Sequence, residues 1–300
     1  MKTDYPKVSV GVMAYNHEEF IEECLDSIRN QNYPNLELIV SDDGSKDKTR
    51  DVVRSYQKKY PDFPFEFVEQ PENLGIANNC NFLLDKMTGK YGHCFAGDDL
   101  FLPGKIQANV ECLERNPQAI FCFSNMEWFS SDTGKRICDH FGFVQKPSVD
   151  LEEYLKDNTI PSPAIFLRLK EIKHIRYNPE VVYINDFLFI VELLLAGKGI
   201  YQDQVLVRYR KHKKSLTATN YFYDDRIKIL EIFRKIIPSK YSMSLRHYND
   251  TVKYAEIMTL IQKGFKAKAA KQAILFFPKF FKSPKWFLRG GLVLKKIIAA

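Results

Sequence analysis

The chain has 300 residues, 45% of them hydrophobic and 27% charged, with a formal net charge of +7. This composition is typical of a soluble globular protein with one large or two moderate domains, and no internal repeat or low-complexity segment is present. No run reaches the roughly 18 consecutive apolar residues of a membrane-spanning helix, and no signal peptide is recognisable. The six cysteines form no C-x-x-C pair, which predicts reduced thiols and a cytoplasmic location.

The first hundred residues alternate strand-like and helix-like patterns. Apolar runs predict strands over 8–14, 36–40, 65–68 and 91–96. A helical pattern follows each of the first three runs, and Asn16 with Glu19 fits the capping residues of the first helix. A β-α-β-α-β-α-β order predicts a parallel sheet that is covered by helices on both faces.

The rest of the chain is less regular. A helix is predicted over 104–115, and strands over 119–125, 165–169 and 200–209. Asp186 opens a strongly apolar helical stretch that ends before Gly197. The stretch 127–159 shows turn signals without a regular pattern, and the chain beyond residue 221 looks helical and then basic. We therefore predict an α/β domain over residues 1–220 and a helical extension over 221–300.

Polar side chains follow three of the predicted strands at the point where each strand ends. They are the pairs Tyr15–Asn16, Asp42–Asp43 and Asp98–Asp99. Because the carboxyl ends of parallel strands face one edge of a sheet, we expect these pairs to converge on one crevice. Adjacent carboxylates indicate a divalent cation, although Gly-Asp-Asp is equally good turn chemistry. No G-x-G-x-x-G or G-K-[ST] loop is present, so a cation at Asp98–Asp99 would take over the neutralisation of a nucleotide diphosphate.

Four stretches carry a distinctive set of motifs. They read VSVGVMAYNHEEFIEECLDSIRNQ, LIVSDDGSKDKT, ENLGIANNCN and GDDLFLPGKI. In this order and spacing they resemble the family 2 glycosyltransferases, and the resemblance covers about residues 6–220. It implies the GT-A nucleotide-diphospho-sugar transferase fold, an α/β fold with a mostly parallel central sheet and helices on both faces. Here a C-terminal helical extension would follow that fold.

The resemblance implies roles for particular residues. Tyr15 and Asp43 would hold the nucleotide base, while Asp98 and Asp99 resemble the D-x-D element that positions ribose and a Mg²⁺ or Mn²⁺ ion. Asp99 would be the direct metal ligand, because Gly97 stands where many relatives carry an acidic or polar residue. Cys80 stands where relatives often carry an Arg, so a cationic phosphate contact is missing there or supplied elsewhere. The implied nucleotide-binding set is Ala14, Tyr15, Asn16, Asp43, Gly75, Asn81 and Asp98.

Two later segments also resemble family motifs. The segment 185–189, NDFLF, resembles an E-D-x-x-hydrophobic motif, whose Asp is the general base; without the resemblance, Asp186 reads as a helix N-cap. The segment 209–217, YRKHKKSLT, resembles a Y-R-x-H-x-x-S-x-T loop. It implies that Arg210 and His212 contact the diphosphate, with His212 near the metal, whereas the alternative is a solvated basic loop. The other five histidines, His17 among them, are assigned no function.

The positive charge is concentrated at the end of the chain. No acidic residue follows Glu256, whereas ten Lys and Arg residues lie between Lys263 and Lys296. Without these ten, 34 basic residues remain against 37 acidic ones, which argues against a nucleic-acid partner. Aromatic residues interleave with the lysines, a pattern that favours an interface with anionic lipid. The alternative is a helix packed on the main domain with a solvated charged face.

These patterns predict an inverting, metal-dependent glycosyltransferase that moves a sugar from a nucleotide donor, UDP-sugar in our prediction, to a saccharide hydroxyl. The acceptor would be a saccharide or lipid-linked saccharide in surface polysaccharide synthesis, at the inner face of the cell membrane. Two alternatives stay open. A sugar-nucleotide pyrophosphorylase would carry a glycine-rich N-terminal loop, which VSVGVMAYN lacks. A membrane-surface scaffold would retain only a degenerate sugar-nucleotide site.

Overall fold

The predicted alternation of strands and helices is present in the computed structural model, which describes residues 5–139, 150–157, 159–212, 222–280 and 284–298. The chain divides into two units, Met1–Lys214 and Ser215–Ala300. The first unit contains β1 (Val8–Ala14), α1 (Ile21–Arg29), β2 (Leu36–Asp42), α2 (Thr49–Lys59), β3 (Glu66–Glu69), α3 (Ile76–Lys86), β4 (Tyr91–Ala96), β5 (Leu100–Phe101), α4 (Lys105–Arg115), β6 (Ala119–Ser130), β7 (Arg136–Asp139), α5 (Leu151–Asp157), β8 (Ile165–Arg168), α6 (Asn185–Ala196) and β9 (Lys198–Lys211). The second contains α7 (Tyr223–Ile236), α8 (Ser242–Gln262), α9 (Lys266–Phe280) and α10 (Pro284–Ile298).

Within the described ranges, nine strands form one sheet in the order β3-β2-β1-β4-β8-β6-β9-β5, with β7 paired to β6. Strands β3, β2, β1 and β4 are parallel, as their helical crossovers require. Strand β8 runs antiparallel to both β4 and β6, whereas β9 is parallel to β6 and β5 is antiparallel to β9. The predicted α/β fold with parallel central strands is confirmed, and the later half of the sheet is mixed.

Strand β1 shows why helices cover both faces of the sheet. Its alternate residues 8, 10, 12 and 14 are fully buried in a core shared with α1, α2 and α4. On the other face, a Cβ atom on Gly11 would lie 2.7 Å from Met87 Cε and 3.0 Å from Leu83 Cβ. Because successive strand residues face opposite sides, α3, which carries Leu83, packs on the face opposite to α1. Only glycine at position 11 allows this close approach.

The predicted cap of the first helix is wrong. Helix α1 begins at Ile21 rather than near Asn16, and no side chain caps it. Asn16 instead has a left-handed backbone with φ of +56°, a conformation that Asn tolerates better than most residues. Its Oδ1 accepts the Lys46 N–H at 2.8 Å. A contact between two loops has therefore replaced the local capping interaction.

The stretch 127–159 is more regular than its sequence indicates. Strand β6 continues to Ser130, and β7 and α5 follow within the described residues. The long strand β9 pairs with β6 as far as Ser130. This partner is distant in sequence, so the local pattern of residues 127–130 could not reveal the strand.

The second unit has its own apolar core. Tyr254, Ile257 and Met258 of α8 pack with residues of α9 and α10, among them Phe276 and Val293. Other apolar side chains of the same two helices face outward: Ile274 and Leu275 are each 72% exposed, Leu292 39% and Leu294 47%. Of the helices that the structure describes, none is long and apolar enough to cross a bilayer.

Lys105, the first residue of α4, is an unusual buried cation. Its side chain is fully buried, and Nζ lies 5.2 Å from the centre of the Phe101 ring, with no hydrogen-bond partner among the described residues. Burial lowers the pKa of Lys105 from its usual 10.5 to about 7. Between these two values the unfolded chain holds a proton that the folded chain has released. The free energy of unfolding should therefore rise with pH across this window.

Replacing Lys105 with Met should remove the free-energy cost of burying the ammonium group. We expect the free energy of unfolding to rise by about 4 kcal/mol near neutral pH, with a gain that shrinks by about 1 kcal/mol per pH unit above it. Urea unfolding of both proteins at about pH 7, 8 and 9 measures this gain. The matched control is Lys58→Met at an exposed position of α2, which should have little effect at any pH. A gain that does not vary with pH would contradict a role for the buried charge.

Candidate active site

The carboxyl ends of β1, β2 and β4 lie side by side at one edge of the sheet. In the parallel register of β1 and β2, Ala14 lies opposite Asp42. Backbone pairing continues past the strands: the Asp43 N–H donates to the Ala14 carbonyl, and the Gly97 N–H to the Met13 carbonyl, each at 2.8 Å. The polar residues that follow the three strands are therefore neighbours in space.

The loops after β1 and β2 are tied together by backbone-to-side-chain hydrogen bonds. The N–H groups of Asn16, His17 and Glu18 donate to Ser45 Oγ (2.9 Å), Thr49 Oγ1 (2.8 Å) and Asp47 Oδ2 (3.1 Å), respectively. Several polar residues of the SDDGSKDKT stretch thus act as a clamp on the first loop. Tyr15 stands at the start of that loop with 43% of its surface exposed, so its ring is accessible to a ligand.

Asp43 is buried and anchors a third loop at the same edge. Its Oδ1 accepts the Leu74 N–H at 2.7 Å, and its Oδ2 accepts the Gly75 N–H at 3.1 Å. Burial raises the pKa of Asp43, although these two hydrogen bonds act in the opposite direction. Gly75 has φ of +81°, where a side chain would be strained. Asp43 and Gly75, both predicted to bind the nucleotide, thus lie in direct contact.

Asp98 and Asp99 form the turn between β4 and β5, so the prediction of a turn is confirmed, and this turn carries two carboxylates at the edge of the sheet. Asp99 is 1% exposed, and its Oδ1 accepts the Arg210 N–H at 2.8 Å. Its Oδ2 is buried without a hydrogen-bond partner in the described part of the chain. Asp98 Oδ2 lies 3.1 Å from His212 Nε2, while no described side chain donates to Asp98 Oδ1. Asp99 therefore has one oxygen held by the protein and one without a partner among the described residues, whereas the carboxylate of Asp98 is held by His212 and by its own backbone N–H.

The two carboxylates differ in their electrostatics. Burial, followed by the charge of Asp98, raises the pKa of Asp99 well above its usual range. Burial acts in the same direction on Asp98. There it is outweighed by the hydrogen bond with His212 and the charges of His17 and His212, so the pKa of Asp98 lies below its usual range. Asp98 is therefore the member of the pair that stays ionised more readily.

This donor set fits a hard divalent cation that is shared with a substrate. Carboxylate oxygens are the ligands that Mg²⁺ and Mn²⁺ prefer, and a cation would satisfy the buried, unpartnered Oδ2 of Asp99. Over the described ranges, no group of three or more His, Cys, Asp and Glu side chains is arranged to hold a metal ion alone. The remaining ligands would have to come from phosphate oxygens or water, as is usual for Mg²⁺.

Arg210, a predicted phosphate contact, is engaged inside the protein. Its guanidinium donates to the Asp98 carbonyl at 2.7 Å and to Glu23 Oε2 at 2.5 Å. It also lies 4.8 Å from the ring centre of Phe20 and 4.6 Å from that of Phe129. Arg210 therefore braces the turn that carries the two carboxylates. Of the loop predicted over 209–217, residues 213–217 lie outside the described residues.

His17 belongs to the site, although the sequence assigned it no function. Its Nε2 lies 3.9 Å from Asp98 Oδ2, the same oxygen that His212 contacts. Burial lowers the pKa of His17 despite the opposing charge of Asp98. The available signal was positional, because His17 comes directly after the Tyr15–Asn16 pair at the end of β1.

Asp186 lies in the first turn of α6, not at its N-cap, which is Ile184. It acts electrostatically on the same buried thiol as Asp43. Burial and the neighbouring Cys94 raise the pKa of Cys80, and Asp186 and Asp43 raise it further. The Cys80 Sγ lies 2.9 Å from Sδ of Met13 in β1. Asp186, the predicted general base, and Asp43, the predicted contact of the nucleotide base, therefore both act electrostatically on a thiol that lies next to β1.

Asn81, a predicted nucleotide contact, connects α3 to the segment before α6. Its side-chain amide donates to the Tyr177 carbonyl at 2.8 Å and accepts the Tyr177 N–H at 2.9 Å. Tyr177 stacks on Phe189 of α6, with ring centres 4.1 Å apart and planes within 5°. The amide of Asn81 thus supports the helix that carries Asp186.

Similar structures show the same architecture. The mannosyltransferase PcManGT from Pyrobaculum calidifontis, in complex with GDP-Man and Mn²⁺, matches with a TM-score of 0.63 and 19% identity, over 99% of this chain and 86% of that chain. S. aureus TarS 1–349, in complex with UDP-GlcNAc, also matches with a TM-score of 0.63 and 19% identity, over 97% and 81%. At such identities the likeness shows the fold, which is GT-A.

Sequence comparison extends the likeness beyond the fold. TuaG of Bacillus subtilis, a candidate teichuronic acid biosynthesis glycosyltransferase, is 27% identical over 218 residues, or 72% of this chain and 83% of TuaG. The chain spans 66% and 67% of the length of two other curated relatives, glycosyltransferases of Haemophilus influenzae and Rickettsia typhi. The family model for glycosyl transferase family 2 matches residues 9–186, from β1 to the predicted base. With this match over more than half of its length, the chain belongs to glycosyl transferase family 2.

Proposed function

We propose that this glycosyltransferase is metal-dependent and inverting, and that it moves one sugar from a UDP-sugar to a hydroxyl of a saccharide or lipid-linked saccharide. The observation that carries the proposal is the convergence of three strand ends on the Asp98–Asp99 turn. At that turn Asp99 Oδ2 is buried without a hydrogen-bond partner among the described residues, and the side-chain contacts that His212 and His17 make with Asp98 go to Oδ2 alone. The likeness to TuaG supports a role in surface polysaccharide synthesis.

The nucleotide would bind along the loops that follow β1, β2 and β3. The exposed ring of Tyr15 would stack on the base, and Asp43 would hydrogen-bond to it. Ala14, Asn16, Gly75 and Asn81 would shape this cleft. The complex of TarS with UDP-GlcNAc supports a uridine donor. GDP-Man in the PcManGT complex makes a guanosine donor the natural comparison in an assay.

Asp99, assisted by Asp98, would hold Mg²⁺ or Mn²⁺, and the Mn²⁺ bound to PcManGT supports this assignment. Such an ion, when bound, would neutralise the charge that develops on the leaving diphosphate. His212 and Arg210 would contact the same phosphates. Because Arg210 is paired with Glu23, whose side chain is 62% exposed, this ion pair is the contact that Arg210 would exchange for phosphate.

Asp186 would act as the general base. The acceptor oxygen would form a bond to the anomeric carbon as the bond from that carbon to the diphosphate oxygen breaks. The hydroxyl proton would pass to the carboxylate of Asp186. A single displacement of this kind inverts the anomeric configuration. Asn81 and Tyr177 would support the reaction indirectly, since they hold α6 against α3.

The second unit would place the enzyme at the inner face of the cell membrane. Ile274 and Leu275 project from α9 beside the exposed Lys268 and Lys271. Apolar residues next to lysines, on a segment without acidic residues, fit a bilayer that contains anionic lipid. At this location the enzyme would meet a lipid-linked acceptor in the membrane.

The metal-binding assignment predicts the effect of Asp99→Asn. This change removes the charge from the buried carboxylate, and we expect the Mn²⁺-dependent release of UDP from a UDP-sugar to fall by about 100-fold or more. Release of UDP is measured with a panel of UDP-sugars, with GDP-Man as the alternative donor. The matched control is Asp62→Asn, at an exposed position. Wild-type rates in Asp99→Asn would exclude this metal site, whereas no UDP release by the wild type with any donor would favour a scaffold.

The base assignment predicts a different pattern for Asp186→Asn. Loss of the proton acceptor should lower kcat by about 1000-fold, whereas the Kd for UDP should change by less than about twofold, because Asp186 acts on the acceptor. Calorimetry measures binding and UDP release measures turnover. Glu192→Gln, on the same helix, is the control and should keep normal kcat. If Asp186→Asn turns over normally, another group takes the proton.

The membrane assignment is tested with the double variant Ile274→Ser, Leu275→Ser in the full-length chain. We expect its binding to vesicles of phosphatidylglycerol and phosphatidylcholine to weaken by about tenfold, because two apolar side chains are lost from the interface. Co-sedimentation measures the binding. The control is Met243→Ser in α8, a residue that is 76% exposed. Equal binding of the wild type and the double variant would show that α9 does not contact lipid through these residues.

A further inference from the structure

The turn at Gly97 has no room for a side chain. A Cβ atom on Gly97 would lie 2.8 Å from Ile21 Cδ1 and 3.0 Å from His17 Nδ1. The backbone of Gly97 does not have a positive φ, so the need for glycine is one of space and not of conformation. The imidazole of His17 therefore lies beside the turn where a side chain at position 97 would stand.

The surroundings of the imidazole indicate which of its two ring nitrogens carries the proton. His17 Nδ1 is buried and has no hydrogen-bond partner in the described part of the chain. The neighbouring Gly97 N–H does not donate to Nδ1, because it donates to the Met13 carbonyl at 2.8 Å. Nε2 lies 3.9 Å from Asp98 Oδ2. This distance is longer than a hydrogen bond, but the negative charge of the carboxylate favours the tautomer in which Nε2 carries the proton.

The backbone on both sides of the ring is held in place. The His17 N–H donates to Thr49 Oγ1 at 2.8 Å, and the Thr49 hydroxyl in turn donates to Asp47. The His17 carbonyl accepts the N–H groups of Phe20 and Ile21, each at 2.9 Å. The ring therefore approaches Asp98 from a loop that is fixed by the clamp between the β1 and β2 loops.

We propose that His17 is a positioning residue of the donor site, and the inference rests on the proposed function. His17 and His212 come from different elements and both face Asp98 Oδ2, at 3.9 Å and 3.1 Å. Together they oppose rotation of the carboxylate and leave its Oδ1 for the sugar nucleotide. Asp99 is held in a matching way, through the Arg210 N–H on Oδ1. His17 thus orients a binding group and does not itself touch the donor.

The test compares His17→Leu with His17→Gln. Leu keeps most of the packing but has no N–H, whereas Gln keeps an N–H donor. We expect the Kd for UDP in the presence of Mn²⁺, measured by calorimetry, to rise by about tenfold in His17→Leu. His17→Gln should stay within about threefold of the wild type, and the surface control His174→Leu should be unchanged. A crystal structure of His17→Leu should show that the Asp98 carboxylate has turned.

The outcomes separate the inference from the proposed function. If the wild type binds UDP and His17→Leu binds it equally well, or if Asp98 keeps its orientation in that variant, the inference is wrong and the function stands. Equal losses in the Leu and Gln variants would indicate a purely structural role and would also overturn the inference. If the wild type binds neither UDP nor GDP, the proposed function is wrong and the inference is wrong with it.

Discussion

The site depends on two like charges that the fold holds next to each other in a buried turn. Asp98 and Asp99 repel each other, and burial adds to the cost of ionising both. The protein offsets this cost with hydrogen-bond donors from distant elements: the Arg210 backbone and guanidinium, and the His212 ring. The Arg210 N–H binds one carboxylate oxygen of Asp99, the His212 ring contacts one of Asp98, and the guanidinium binds the Asp98 carbonyl. A cation bound to a sugar diphosphate would bind the remaining carboxylate oxygen. Binding of the sugar nucleotide would therefore also relieve the repulsion between the two carboxylates.

Rigid loops make this arrangement possible. Side chains of Ser45, Asp47 and Thr49 connect the loops after β1 and β2 through hydrogen bonds. Asp43 fixes the loop before α3 in the same way. Asn81 joins α3 to the segment before α6. The groups that would bind the donor and accept the proton are thus held by contacts that exist before any ligand arrives. Such preorganisation favours transition-state stabilisation, because no reorganisation is needed during the reaction.

Two departures from the family pattern have a structural explanation. Gly97 stands where the resemblance to the family leads us to expect an acidic or polar residue, and the imidazole of His17 lies against the position where that side chain would project. Cys80 stands where the resemblance leads us to expect an Arg, and it is 2% exposed with its sulfur against Met13. A cationic phosphate contact is therefore not available at position 80. Within the described residues, Arg210 and His212, at the end of β9, contact the Asp98–Asp99 turn instead.

The sequence by itself determined the alternation of strands and helices in the first half of the chain, because the period of apolar residues is a local property. It also located the polar pairs at the strand ends, since parallel strands leave them at one edge whatever else the chain does. Only the tertiary structure decided which side chains complete the site. Arg210 meets Glu23 across 187 positions of sequence, and Asn81 meets Tyr177 across 96. His17 reaches Asp98, and Asn16 leaves its predicted cap, through contacts between separate loops. No local sequence pattern predicts such pairings, because they form only when distant segments of the chain meet at the same edge of the sheet.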